Sequence, residues 1–470
     1  LLFATSATRL LVLRLPAELA LPRLDEIGVD LRVVAFTAGG SLLTAMIFGL
    51  APALFGSSVG PGETMRDAAR GTTGGRTRGR VRGVLVVAEV ALALVLLVGT
   101  GLLARSFQKL MSVDTGLHTE QVLTMRIAAR SARYQEPATL VNFTDELQER
   151  LAAHPGTRSV GIISPWLPLT GLKSATRFKR DDQAPPPVGE EPVTDIRVVA
   201  GDYYRAMGIP LLRGRAFDTH DTESSPNVFI INDELARRHF PGEDPIGKRV
   251  SFSWGDMVQG EIVGVVGSIR ELGPAEEPAP AIYRPFRQMP GGQFHVILRT
   301  TGDPETVAGT AREVVRTLDP NLPVAEIRTM EQVAGDLVSR PRLNLLLLGG
   351  FAALALVLAA IGLYGVMAYS VAQRRAEIGV RVALGASRPD VMRLIVGQGM
   401  RLTLAGLLVG LVGALALTRL MTSLLFGVQP TDPLTIAAVA AFLAAIALVA
   451  SWIPARRAAG TDPAIALRAE

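Results

Sequence analysis

The chain has 470 residues, of which 49% are hydrophobic and 19% charged, with a mean hydropathy of +0.32 and a formal net charge of +5. That hydropathy is too high for an ordinary soluble protein of this length and too low for a bundle of membrane spans alone, so spans joined to a soluble domain are expected. The absence of cysteine excludes disulfides, thiolate metal sites and thiol nucleophiles. The five histidines, at 118, 154, 220, 239 and 295, have no metal-ligand spacing, so no metal site is expected.

The chain begins Leu1-Leu2 without an initiator methionine and reads as part of a longer protein, so the lack of a signal peptide carries no meaning. A spanning helix needs about 20 mostly apolar residues. In chain order the expected spans are 33–55, 84–104, 343–370, 394–420 and 434–454, with Leu1–Leu13 as the tail of a further, truncated one. The fourth carries Arg401 near its start and is apolar from Leu402 to Leu417, so it is entered by an amphipathic turn. The expected fold class is therefore a multi-span α-helical membrane protein with a large extracytoplasmic α/β domain over 105–342.

Arginine placement sets the orientation. The linker 71–83 with the residues just before it, the segment 371–393 and the tail 455–470 together carry fourteen arginines against five acids, counting from Arg66. Excess Lys and Arg marks cytoplasmic loops. These three segments are therefore placed inside, and 13–32, 105–342 and the loop 421–433 outside. The same arginines do not read as a nucleic-acid surface, because they lie between spans and lack aromatic residues for stacking.

An internal repeat links the two ends. Asp30 precedes Pro52-Ala53 by the interval that separates Asp432 from Pro454-Ala455; Pro61 and Pro463, then Arg66 and Arg468, follow in the same register. Residues 1–70 are expected to be the end of a first repeat and 80–470 a complete second one. Such repeats build the two halves of one bundle in transporters. Asp432-Pro433 reads as the N-cap and first residue of the last span, and Asp462-Pro463 as a copy opening a short cytoplasmic helix.

Within 105–338 helix and strand patterns alternate. Pro137–Ala153 is helical, with Leu140, Phe143, Leu147 and Leu151 on one stripe, and strand-like Val160–Ile163 follows. Asp303-Pro304-Glu305 opens a second helix through Leu318, before strand-like Val324–Ile327. Two helix–strand units flanking an insert at about 195–290 suggest two related halves. Within the insert, Asn227–Ile231 and Glu261–Val266 are strand-like, with a helix over Asp233–His239. Gly242-Glu-Asp-Pro-Ile-Gly-Lys-Arg249 nearly spells a phosphate-binding loop, but Arg249 stands where Ser or Thr is needed and a strand follows instead of a helix, so it reads as a structural turn.

The segment Arg374-Arg-Ala-Glu-Ile-Gly-Val-Arg-Val-Ala-Leu-Gly-Ala-Ser387 is the most informative. Val371–Leu384 can continue as helix. Gly385 is a natural stop, and Ser387 with Asp390 resembles a capping box for the next helix. Glu377 and Arg381 form an i,i+4 pair. Ile378 and Val382 line one face; Ala376, Val380, Ala383 and Leu384 line another. Such a helix can pack on the bundle and still offer a surface to a partner. Glu89, five residues into its span, is an intramembrane ionisable candidate; its nearness to the cytoplasmic arginines favours a snorkelling or paired structural role.

The run from Glu377 to Ala386 resembles the hallmark of the FtsX-like and MacB-like permease family. The stretches Gly201–Phe217 and Phe240–Arg249 resemble that family's periplasmic core domain, and Pro454 through Arg468 its terminal signature. The resemblance covers about 80–470, and the duplication is similar to that of the acidobacterial duplicated orphan permeases. It implies a permease of an ABC-type export system in the bacterial inner membrane, with a periplasmic core domain over 105–342. In that family ATP hydrolysis by a partner ATPase drives movement of the periplasmic domain. By this resemblance Glu377, Ile378, Gly379, Arg381, Ala383, Leu384 and Gly385 form the coupling region that meets the ATPase. The chain itself is expected to hold no cofactor and no catalytic residue; ATP and Mg²⁺ belong to the partner. Further expected partners are a periplasmic or outer-membrane protein, membrane lipid, and the first repeat or a second copy as a pseudo-dimer or homodimer. The alternative is an FtsX-like signalling protein that controls an extracytoplasmic enzyme. An ion-driven transporter is disfavoured, because no span carries an acid near its middle.

Overall fold

The computed structural model describes residues 30, 32–42, 46, 74–184, 186–187, 189–254, 256–384, 386–422 and 425–460. The expected span 33–55 is thus described only as helix over 32–42 and at Met46. The segment Leu1–Leu13, the repeat marks from Pro52 to Arg66, the Asp462-Pro463 turn and Gly385 lie outside the described residues. The chain divides into two compact units, cut between Lys109 and Leu110 and between Arg340 and Pro341.

Helix α1 (Gly74–Met111) runs past both ends of its apolar stretch. Nothing in Arg105-Ser-Phe-Gln-Lys-Leu-Met111 breaks a helix, so the backbone bonding continues where the apolar pattern stops.

In the outer unit, β1 (Val122–Ala128), α2 (Pro137–Ala152) and β2 (Thr157–Ser164) form one βαβ half. The second half follows an insert. The insert holds β3 (Ala175–Arg180), β4 (Val193–Gly201), α3 (Tyr203–Met207), β5 (Leu211–Gly214), β6 (Val228–Asn232), α4 (Asp233–His239), β7 (Arg249–Trp254), β8 (Asp256–Val266) and β9 (Ala281–Pro285). The second half is β10 (Gln293–Thr300), α5 (Glu305–Leu318) and β11 (Val324–Thr329). The two halves interleave in one antiparallel sheet of order β11-β1-β10-β2. Leu140, Phe143, Leu147 and Leu151 of α2 and Val307, Ala311 and Val315 of α5 pack on the same core as Leu123, Met125 and Ile127 of β1. That spacing of two puts alternate β1 side chains on one face. Val122 and Ile297 turn instead to a second core with Tyr203, Met207 and Met330.

Each expected helix–strand unit is preceded by a strand, β1 or β10, that the pattern does not announce. Both strands have buried residues on both faces, so apolar and polar residues do not alternate. The insert is a strand ring: β4-β3-β7-β8-β6-β9, closed by parallel pairing of β4 with β9. Phe178, Phe229, Phe252, Ile262 and Ile282 belong to the core it surrounds.

His295 on β10 is buried, opposite Arg126 of β1 and Ile163 of β2. Burial pushes the imidazole from 6.5 down to about 4, against the opposing pull of Glu326. The unfolded chain therefore takes up a proton that the folded one refuses as pH falls from about 6.5 to about 4. Over that window the outer unit is expected to lose about 3 kcal/mol of stability. Denaturant midpoints at pH 7 and pH 4.5 check this, and His295→Gln should flatten the dependence.

After β11 the chain returns through α6 (Met330–Gln373), α7 (Arg375–Ala383), α8 (Arg388–Leu420) and α9 (Pro433–Ala459). Four helical stretches are long and apolar enough to cross a membrane among the described residues: Arg82–Met111, Pro341–Gln373, Arg388–Leu420 and Pro433–Ala459. The last continues through Pro454 to Ala459, further than the apolar run to 454 suggests. Asp432 caps it by accepting the Thr435 N–H at 2.9 Å, and its carboxylate also takes the Arg105 guanidinium of α1. The bundle core is apolar, with Val90, Leu94 and Val98 of α1, Leu363 of α6, Ile395 of α8 and Ala447 of α9 in one cluster.

Helix α8 contributes a seam of small buried residues: Gly399, Thr403, Gly406, Gly410, Ala414 and Thr418. A Cβ on Gly406 would lie 2.7 Å from Val90 Cβ, and one on Gly410 would lie 2.8 Å from the Ala91 carbonyl oxygen. Close backbone approach of this kind is how helices associate where lipid removes the hydrophobic drive.

A candidate coupling site on the cytoplasmic helix

The helix expected to run unbroken over 371–384 is interrupted. α6 ends at Gln373, Arg374 is a turn, and α7 restarts at Arg375. The Arg374 N–H is shared between the Ser370 and Val371 carbonyls at 3.2 Å each, a tightened last turn. At the far end the Ala386 N–H bonds the Arg381 carbonyl at 2.9 Å, an i to i−5 closure at the helix C-terminus. Ser387 then opens α8: the Asp390 carboxylate accepts its N–H at 3.2 Å and its hydroxyl at 2.5 Å.

This short helix has two different sides. Ile378 is 6% exposed and belongs to the bundle core, and Gly379 is buried beside it. Val380 and Leu384, one turn apart, point away: 46% and 82% of their surface is exposed. Glu377 and Arg381 flank them, joined at 2.7 Å and half-exposed, with Arg374 at 3.9 Å from the same carboxylate. The site thus presents an apolar pair beside an ionic pair on a helix held by Ile378. The Ala376, Val382 and Ala383 side chains and all of Gly385 lie outside the described residues.

Glu89 lies in its expected span but without the arginine partner that pairing would require. Its Oε2 is buried without a hydrogen-bond partner, and no ion pair to it is present among the described residues. The expected arginine pairing is replaced by a fit to glycine: a Cβ on Gly362 of α6 would come within 2.0 Å of Glu89 Oε2. Arg82 lies with its guanidinium 3.8 Å from the Tyr369 ring centroid instead.

The near-phosphate loop is a turn. Gly242 and Gly247 take φ of 74° and 80°, strand β7 follows directly, and Lys248 Nζ is held by Asp182 at 2.9 Å and Glu243 at 3.2 Å. The small-residue seam of α8 was the feature that apolarity alone hides. Its signal is present as glycine, threonine and alanine recurring at intervals of three or four.

Residues 349–463 match the family model described as FtsX-like permease C-terminal, and residues 84–317 that described as MacB-like periplasmic core domain. Among curated proteins, the macrolide export ATP-binding/permease protein MacB of Agrobacterium fabrum is 28% identical over 286 residues, covering 57% of this chain and 42% of that protein. MacB of Azoarcus sp. is 24% identical over 399 residues, covering 82% and 56%. The uncharacterized ABC transporter permease YknZ of Bacillus subtilis is 23% identical over 289 residues, covering 60% and 71%. The chain spans about half the length of the MacB relatives it matches. Among solved structures, the periplasmic region of MacB from Actinobacillus actinomycetemcomitans aligns with a TM-score of 0.31 at 13% identity, over 46% of this chain and 92% of that one. The extracellular domain of YknZ aligns with a TM-score of 0.28 at 18% identity, over 43% and 100%.

Proposed function

We propose that this chain, which belongs to the FtsX-like permease family and carries a MacB-like periplasmic core domain, is the membrane part of an ATP-driven export system that works as a lever. It is a multi-pass inner-membrane protein with a periplasmic segment. A cytoplasmic ABC ATPase docks on Val380 and Leu384, with Glu377 and Arg381 setting its register, and its nucleotide cycle moves α1 and α6. The observation that carries this reading is the two-sided α7, anchored inward by Ile378 and apolar outward at Leu384. Burying the two exposed side chains would contribute roughly 1.5–3 kcal/mol each.

The apolar cluster between α1, α6, α8 and α9 supports a lever over a channel. Export is taken over from the MacB relatives' name as part of the proposal; their macrolide is not. The same lever would serve an FtsX-like relay to an extracytoplasmic enzyme. Purification of the whole chain in mild detergent tests the first step: an ABC ATPase should be retained. Retention of a cell-wall hydrolase by the periplasmic side, with no export substrate, would favour the relay; retention of no ATPase would overturn both.

A further inference from the structure

The outer unit contains a buried ion pair outside the two βαβ halves of the sheet. Arg197 on β4 is 1% exposed and Glu271, in the loop after β8, is 9% exposed; Arg197 Nε donates to the Glu271 carboxylate. The guanidinium also donates to the Ile196 carbonyl at 2.7 Å, while its Nη2 has no hydrogen-bond partner among the described residues. Desolvating two charges costs several kcal/mol per ion, and mutual attraction returns that only with good geometry. Burial pushes the Glu271 carboxyl up, against the pull of Arg197. A pair held at such cost calls for a role that an apolar pair would not fill.

The loop carrying Glu271 touches every part that would have to move together. Its Arg270 N–H bonds the Thr115 carbonyl at 2.8 Å, four residues beyond the end of α1. Its Ser268 carbonyl lies against Gly116, where φ is 73° and a Cβ would come within 2.6 Å. Its Gly273, at φ 117°, leaves 3.0 Å between a Cβ and Leu337 of α6. Its Glu271 carbonyl accepts the Leu169 N–H at 2.8 Å, from the segment after β2. The loop therefore meets, on one side, the segment just after α1 and the opening turns of α6, the two helices that act as stalks in the lever. On the other, through Glu271, it meets β4, the strand that pairs with β2 of the interleaved sheet and with β3 and β9 of the ring.

We propose that the loop 267–280 is the transmission element of the outer unit, and that Arg197–Glu271 is the pin fastening it to β4. Displacement of either stalk end shifts the loop, and the pin carries that shift to the one strand shared by sheet and ring. Glu271 is thus a positioning residue. This rests on the lever reading above, but its test needs neither ATPase nor nucleotide.

The chain has no cysteine, so spin labels go only where they are engineered. One pair, Met111→Cys with Met257→Cys, joins the stalk end to the ring; both sites are exposed. A control pair, Glu223→Cys with Met257→Cys, lies within the ring unit. Distances are measured by pulsed electron resonance on the whole chain in nanodiscs. E271Q removes the charge but leaves Arg197 buried without its anion, which alone can unfold the domain. The deciding variant is therefore R197M/E271M, which fills the volume without a directional bond. The stalk-to-ring distribution should lose its single narrow peak in this variant while the control pair stays sharp. An unchanged stalk-to-ring peak, or loss of the control peak as well, would overturn the pin. Either outcome leaves the docking of an ATPase on α7 standing or falling separately.

Discussion

Glu377→Lys should abolish ATPase stimulation by the chain while leaving its folding intact. The Glu377–Arg381 pair is half-exposed, so its loss should change stability by under about 1 kcal/mol. At a docking surface the same change is far larger. It places a cation between Arg374 and Arg381, and like charges facing a complementary patch cost several kcal/mol. About 3 kcal/mol is roughly a 100-fold loss of affinity. Leu384→Asp should act in the same direction, because the exposed Leu384, just past α7, would no longer be buried by a partner. Titration of ATPase activity with reconstituted chain measures both, alongside a thermal midpoint. Stimulation unaffected by either substitution would remove α7 from the interface.

The second large effect is expected in the bundle. Gly410→Val should separate α1 from α8, because a Cβ there already lies 2.8 Å from the Ala91 carbonyl oxygen and 3.0 Å from Leu94 Cβ. Overpacking costs about 1–3 kcal/mol, and separating the helices also forfeits the contacts of the whole seam. Gly350→Ala in α6 is the matched control. A Cβ there meets nothing within 4 Å, so helix propensity should make that change neutral or stabilising by up to about 1 kcal/mol. Unfolding in mixed micelles compares the two. Equal midpoints for Gly410→Val and the unsubstituted chain would mean that the seam is not a packing interface.

Much of this fold is legible in the residues. Apolar length and arginine placement define the membrane helices, because lipid admits so few alternatives. The stripe Leu140, Phe143, Leu147 and Leu151 marks α2, since a helix on an open sheet buries one face only. Among the strands that escape notice, β1, β9 and β10 are buried on both sides and lose the alternation that identifies a strand. The closed ring also escapes, since β4 meets β9 through pairing across about eighty residues, which no local pattern encodes.

The site is legible to a different degree. Charge spacing announces the Glu377–Arg381 pair, while the stop expected at Gly385 lies outside the described residues. Which apolar residue of α7 turns inward depends on the break at Arg374, and helical periodicity alone cannot supply that. For Glu89, nearness in sequence pointed to an arginine, whereas packing gives it Gly362. The Arg197–Glu271 pair joins residues far apart in the chain and has no sequence signature at all.

The central claim, that nucleotide on a cytoplasmic partner moves the periplasmic domain, is tested most directly by hydrogen exchange on the intact complex. Exchange would be compared in ADP and in a non-hydrolysable ATP analogue. Protection over 267–280 and at the outer ends of α1 and α6 should differ between the two states, and the difference should vanish with Glu377→Lys. Identical exchange across 110–340 in both states, from a complex that still hydrolyses ATP, would contradict the lever.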